Sequence, residues 1–176
     1  MSRAKGLSWG WLALWAWVLC LAYWPVCPQA ALAQELLALV LREESSGKAL
    51  WCSPVVAQEE LVVEFLHSYD RFPVREHYRI LGPGRILFHG MITRSLLNGQ
   101  GFTSAEIRTR PDGWLEVDVP CVWLDRVEFI MGSKELADHR ILLRGVEHRL
   151  SQVIESGASV VIQAEASRCA GSVSGS

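Results

Sequence analysis

The sequence has no surplus of basic residues, and this absence excludes one broad class of function. It contains 17 Lys and Arg residues against 19 Asp and Glu residues, which gives a formal net charge of −2. Proteins that bind nucleic acid usually present a strongly basic face, so we expect no nucleic-acid partner. The five cysteines show none of the short paired spacings of zinc sites, so their spacing predicts no metal motif.

Recognisable motifs for phosphate binding and catalysis are missing as well. The glycine-rich segment Asn98-Gly99-Gln100-Gly101 lacks the Lys-Ser/Thr pair of a P-loop. Ser68 directly follows His67, but neighbouring residues on a strand point to opposite faces. We therefore expect Ser68 to stabilise a bend rather than act as a nucleophile, and we expect the protein not to be an enzyme.

The first 33 residues have the pattern of a secretory signal peptide. Arg3 and Lys5 precede an uncharged run over residues 7–23, and Ala31-Leu32-Ala33 is a small-residue cleavage signal. The alternative is an uncleaved membrane tether, because the apolar run over residues 7–26 approaches the ~20 residues of a spanning helix. Either way we expect an exported protein, periplasmic or anchored to the outer face of the inner membrane. Without Arg3 and Lys5, 15 basic residues remain against 19 acidic ones.

Three cysteines follow the leader, and an oxidising compartment would allow two of them to pair. Cys52 and Cys121 each lie in or beside an apolar strand pattern, so they are the candidate disulfide; two small buried cysteines that never meet would give the same pattern. Cys169 lies in residues 166–176, which are small and polar. We expect that tail to be disordered.

Residues 34–165 read as a single β-rich domain. Apolar and polar residues alternate in roughly nine short stretches, with no long segment of helical period between them. Turn signals separate the stretches, among them Gly82-Pro83-Gly84 and Arg110-Pro111-Asp112-Gly113. The pattern predicts an antiparallel β-sandwich or a partly closed β-barrel.

The stretch from His67 to Tyr78 carries ionisable residues on a face that should be buried. Val74, Glu76, Tyr78 and Ile80 share one face of a strand, and His67 ends the inward face of the preceding strand. The intervening bend is closed by Pro73. A buried carboxylate needs a partner, and we expect Glu76 to find one in His67 or in Arg71 of the bend. Residues 75, 77 and 79 are Arg, His and Arg, and they should form a solvent face.

A third ionisable group points inward farther along the chain, because His139 shares a face with Ile141 and Leu143. His67, Glu76 and His139 are therefore the candidate inward-facing polar network, supported by Arg71, Pro73 and Tyr78. Two imidazoles and a carboxylate can also bind zinc, and such a pocket can hold a small ligand. We expect the hydrogen-bonded network, with no metal and no cofactor; the alternative is a periplasmic small-ligand or metal-binding β-domain.

Three segments make the sequence resemble the bacterial family known as domain of unknown function 1850. They are His67-Ser68 followed by Pro73-Val74, Glu76 and Tyr78; Gly99-Gln100-Gly101; and Asp138-His139-Arg140-Ile141 followed by Gly145 and Leu150. The resemblance implies a small exported or membrane-anchored protein, typically encoded beside a TRAP-type transporter with a TAXI-type receptor. It thus implies an accessory role in solute uptake, with the transporter membrane subunit or its substrate receptor as the partner.

Overall fold

A computed structural model describes residues 36–95, residues 106–166 and Cys169. The leader, the Gly99-Gln100-Gly101 loop and most of the tail lie outside the described residues. Within the described part, no helix is long and apolar enough to cross a membrane. Regular structure there consists of one 3₁₀ turn, Leu150–Gln152, and twelve strands: β1 (Leu36–Glu43), β2 (Ala49–Val56), β3 (Glu60–Leu66), β4 (Pro73–Gly82), β5 (Arg85–Thr93), β6 (Ile107–Thr109), β7 (Leu115–Val117), β8 (Val122–Leu124), β9 (Val127–Ile130), β10 (Arg140–Leu143), β11 (Val146–Arg149) and β12 (Ser159–Glu165).

The strands form two antiparallel sheets, which confirms the predicted sandwich. The smaller sheet has the order β2-β1-β12-β9, and the larger has the order β11-β10-β3-β4-β5-β7-β6, with β8 also pairing with β5. The sheets are separate and do not close into a barrel.

The core lies between the sheets and follows from the alternation of apolar residues. Leu37, Leu39 and Leu41 of β1 are almost fully buried, and they belong to one apolar cluster with Leu61 and Ile80 of the larger sheet. Residues at period two point to the same face of a strand, so β1 contributes these alternate side chains to the layer between the sheets.

Two loops meet at one end of the sandwich. The amide of Leu66, at the end of β3, donates to the carbonyl of Ala137 over 2.6 Å. This bond joins residues 67–72, which connect β3 to β4, to residues 132–139, which precede β10. We call this end of the sandwich, formed by residues 67–72 and 132–139, the loop end.

The chain enters the described domain at the opposite end. Ala38, near the start of β1, pairs with Glu165 at the end of β12. The start of β12 pairs with Ile130 at the end of β9, beside residues 132–139. Leu36 therefore lies far from the loop end, at the other end of the strands.

The short strands β8 and β11 were not predicted from the sequence. The polar segment of β11 becomes a strand because it pairs with β10, with Ile141 opposite His148. The turn between them, Arg144-Gly145, has positive φ at both residues (53° and 76°), the backbone of a tight hairpin turn. After β11 the chain makes the short 3₁₀ turn Leu150–Gln152.

The predicted disulfide between Cys52 and Cys121 is wrong. Cys52 is bonded to Cys169, and Cys121 is a free, exposed cysteine. Cys52 lies on β2 of the smaller sheet, whereas Cys121 lies between β7 and β8 of the larger sheet. Apolar surroundings in the sequence place both cysteines near strands, but they do not show which sheet each strand joins.

The disulfide predicts a clear difference between two cysteine variants. Cys52→Ser should lower the free energy of unfolding by roughly 2–4 kcal/mol, because the bond closes a long loop in the unfolded chain. Cys121→Ser is the matched control and should leave thermal stability unchanged. Mass spectrometry of non-reduced peptides should recover Cys52 linked to Cys169; recovery of Cys52 linked to Cys121 would contradict the structure.

Candidate functional site

His139 lies between two phenylalanine rings that come from different sheets. Its ring centroid is 5.6 Å from that of Phe65 on β3 and 4.8 Å from that of Phe129 on β9, with interplanar angles of 29° and 16°. Such offset aromatic contacts contribute beyond the area they bury. The imidazole, only 8% exposed, therefore bridges the two sheets near the loop end.

The surroundings of His139 determine its protonation state. The amide of Gly132 donates to Nδ1 over 3.3 Å, so Nε2 carries the proton of the neutral ring. Burial lowers the pKa of His139, against a smaller opposite effect of Asp138. The tight loop requires Gly132, because a Cβ there would lie 2.3 Å from the Cβ of Ala137.

Glu76 points into the sandwich as predicted, but its predicted partners were wrong. The hydroxyl of Tyr78 donates to Oε2 of Glu76 over 2.7 Å, whereas His67 and Arg71 do not bond to it. Tyr78 lies two residues farther along β4 and therefore on the same face. Burial raises the pKa of Glu76, against the smaller opposite effect of the Tyr78 hydrogen bond. Burial and the neighbouring Glu76 raise the pKa of Tyr78, so its hydroxyl remains a donor.

His67 is buried as predicted, and it braces the loop end rather than a site shared with Glu76. Its Nδ1 is hydrogen-bonded to Oδ1 of Asp70 over 3.2 Å, and Asp70 also accepts from the hydroxyl of Ser95 over 2.6 Å. Arg71 is exposed with φ of 63°, and the carbonyl of Pro73 accepts from the Thr93 hydroxyl. The sequence predicted the burial of His67 but neither its partner Asp70 nor the Ser95 hydroxyl that donates to Asp70.

Glu76 and His139 line one cavity of about 170 Å³ between the sheets. The other lining residues are Glu128 and an apolar set: Val63, Phe65, Val127 and Phe129. His67 does not line this cavity. Of the three residues of the predicted network, Glu76 and His139 therefore share the cavity, whereas His67 bonds to Asp70 in the bend. Among residues 36–95, 106–166 and Cys169, no three His, Cys, Asp or Glu side chains are placed to hold a metal ion.

The outer face of the larger sheet was predicted to be a simple solvent face, but its charged side chains are paired with one another. Arg75 donates to the buried carboxylate of Glu64 over 2.6 Å, and its guanidinium lies 4.5 Å from the centre of the Trp114 ring. Arg140 approaches Glu64 from the other side at 3.5 Å and is paired with Asp138. Arg75 is therefore part of a charged network rather than a free surface residue.

His77 is also only partly exposed and belongs to a second polar cluster that the sequence did not reveal. Its Nδ1 lies 2.7 Å from Oε1 of Glu60, and its ring centre is 6.2 Å from that of His89. Burial and the charge of Arg79 lower the pKa of His89. Cross-strand pairing brings these side chains together, since β3, β4 and β5 are adjacent, and no period in the sequence shows that pairing.

Comparison with known proteins gives one match. The model of the family described as domain of unknown function (DUF1850) matches residues 61–150, just over half of the chain. The matched range contains His67, Glu76 and His139. No curated protein and no solved structure matches the chain.

The raised pKa of Glu76 predicts how stability depends on pH. Below the ordinary value of 4.5 the carboxyl is protonated whether folded or unfolded, so burial carries no ionisation penalty. Above that value the unfolded carboxyl ionises, whereas the folded carboxyl keeps its proton until the pH reaches the raised folded pKa. The folded protein therefore loses stability as the pH rises through the folded pKa. Glu76→Gln does not titrate and still accepts from Tyr78, so its melting temperature relative to the native protein should increase from pH 4 to pH 7.

The exposed Glu116→Gln is the matched control for that comparison. Its melting temperature relative to the native protein should change little over the same pH range, because Glu116 lies on the outer face with a distant ion pair to Arg108. A Glu76→Gln difference that stays constant or shrinks towards neutral pH would show that the Glu76 pKa is not raised.

Proposed function

Since the chain belongs to the DUF1850 family, we propose that it is an exported accessory protein of a TRAP-type solute-uptake system. The proposed partner is the extracytoplasmic substrate receptor of that system, and the proposed role is binding rather than catalysis. Two sequence features support export and this context: the leader pattern of residues 1–33 and the family resemblance.

The observation that carries the proposal is an exposed apolar surface at the loop end. Tyr69 is 77% exposed, Phe72 51% and Leu136 54%. Large apolar side chains grouped on the loops of a rigid scaffold are typical of protein interaction sites. The loop holding Tyr69 and Phe72 is braced by Asp70, which bonds to both His67 and Ser95, so the surface is held in shape before a partner binds.

The direction of the chain favours the receptor over the membrane subunit. Leu36 lies at the end of the sandwich opposite the loop end. If residues 7–26 remain as a tether, the chain leaves the domain at the end far from the exposed loops. If the leader is removed, the loop end is equally open to a soluble protein. Both outcomes leave Tyr69, Phe72 and Leu136 accessible to an extracytoplasmic receptor.

The proposal predicts which proteins accompany the tagged full-length chain when it is purified from gently solubilised native membranes. Mass spectrometry should find the substrate receptor with the native protein. The double variant Tyr69→Ser/Phe72→Ser should reduce that recovery at least about tenfold, because hot-spot aromatic residues each contribute more than ~1 kcal/mol. The far-end variant Val146→Ser removes a side chain that is 55% exposed and should bind like the native protein.

Three results would contradict the proposal. Equal recovery of the receptor with the double variant would place the contact elsewhere on the molecule. Recovery of the membrane subunit without the receptor would show that the receptor is not the partner. Recovery of neither, under conditions that keep the transporter intact, would remove the physical basis for an accessory role.

A further inference from the structure

The cavity between the sheets contains two polar side chains whose hydrogen-bonding capacity the protein does not use. Tyr78 satisfies Oε2 of Glu76, which leaves Oε1 without a protein partner among the described residues. His139 is more than nine-tenths buried, and Gly132 occupies its Nδ1. Its Nε2–H likewise has no protein partner in the described part of the chain. Neither atom is fully enclosed by protein, so both can bond to water or to a ligand that enters this cavity.

The charge of the lining favours a positively charged occupant. Glu76 and Glu128 line the cavity, and no Lys or Arg side chain does. Glu128 is already paired with Arg126, so Glu76 is the carboxylate left without a cation. His139 is neutral at physiological pH because burial lowers its pKa.

The walls also suit a cation. Phe65 and Phe129 line the cavity together with Val63 and Val127. Aromatic surfaces attract cations through the ring quadrupole, and apolar walls weaken the competition from water for the carboxylate. An anion would meet Glu76 with no Lys or Arg side chain in the lining to balance it.

We propose that the cavity binds a small organic ammonium ion, with Glu76 as its counter-ion and Nε2–H of His139 as a hydrogen-bond donor to an oxygen of the ligand. The volume of about 170 Å³ is below the roughly 300 Å³ at which sites for drug-sized ligands begin. The ligand therefore has few non-hydrogen atoms. This site lies inside the sandwich and is separate from the exposed loop residues proposed to bind the receptor.

Three probes of equal heavy-atom count test the proposal by NMR titration of the isotopically labelled full-length protein. Ethanolamine is the cation, ethylene glycol is its neutral analogue and acetate is the anion. Ethanolamine should shift resonances of residues around Glu76 and His139 and saturate below about 50 mM, because a four-atom ligand gains at most several kcal/mol. Ethylene glycol and acetate should bind at least about tenfold more weakly.

Variants distinguish the proposed site from binding elsewhere. Glu76→Gln should weaken ethanolamine binding at least about tenfold, the loss expected for removing a charged partner in an apolar site. Glu76→Asp keeps the charge and should bind more tightly than Glu76→Gln. Glu116→Gln, on the outer face, is the matched control and should bind like the native protein.

The proposal is overturned if ethanolamine does not bind saturably, if acetate or ethylene glycol binds as tightly, or if Glu76→Gln binds ethanolamine unchanged. Because Tyr69→Ser/Phe72→Ser leaves the cavity lining intact, that variant should still bind ethanolamine. A failure of receptor docking is thereby distinguished from a failure of the cavity to bind cations.

Discussion

The contact on which the loop end depends is the imidazole of His139 between the rings of Phe65 and Phe129. Phe65 belongs to the larger sheet and Phe129 to the smaller, so the stack joins the two layers where the strands give way to loops. Polar atoms are costly to bury without partners, and Gly132 satisfies one nitrogen of this ring. The other nitrogen is left for the cavity.

The stack also determines what the neighbouring elements can do. Phe65, Phe129 and His139 form part of the cavity wall, so Glu76 faces an apolar space rather than bulk water. The loop of residues 132–139, which contains His139, also contains the exposed Leu136. The hydrogen bond from the amide of Leu66 to the carbonyl of Ala137 joins this loop to the loop of Tyr69 and Phe72. The outer apolar surface is therefore built on this pair of loops, and the inner polar site lies on strands β3, β4 and β9 with His139 contributed by one of the loops. Receptor binding and ligand binding are separate proposals that share this support.

The period-two alternation was sufficient to predict an antiparallel sandwich or partly closed barrel, and the inward faces of His67, Glu76 and His139. It was not sufficient to predict their partners, because alternation gives the face of each residue but not which strands are neighbours. The hydrogen bond between Tyr78 and Glu76 was accessible in principle, since two residues on one face of a strand are two positions apart. Ser95 and Phe129 were not, since each depends on a contact between distant segments, and Asp70, three residues from His67, depends on the conformation of the bend. Cys169 was missed for the same reason.

The cavity and the loop end both depend on a His139 that is neutral, protonated at Nε2 and enclosed by two aromatic rings. The most direct test is a pH titration of the ¹⁵N-labelled histidine side chains by NMR, with His139 assigned by the loss of its signals in His139→Gln. We expect the pKa of His139 to lie below the ordinary 6.5, and the neutral ring at higher pH to carry its proton on Nε2. A pKa at or above 6.5 would contradict the burial of the ring in the stack. Protonation at Nδ1 in the neutral form would contradict the bond from Gly132.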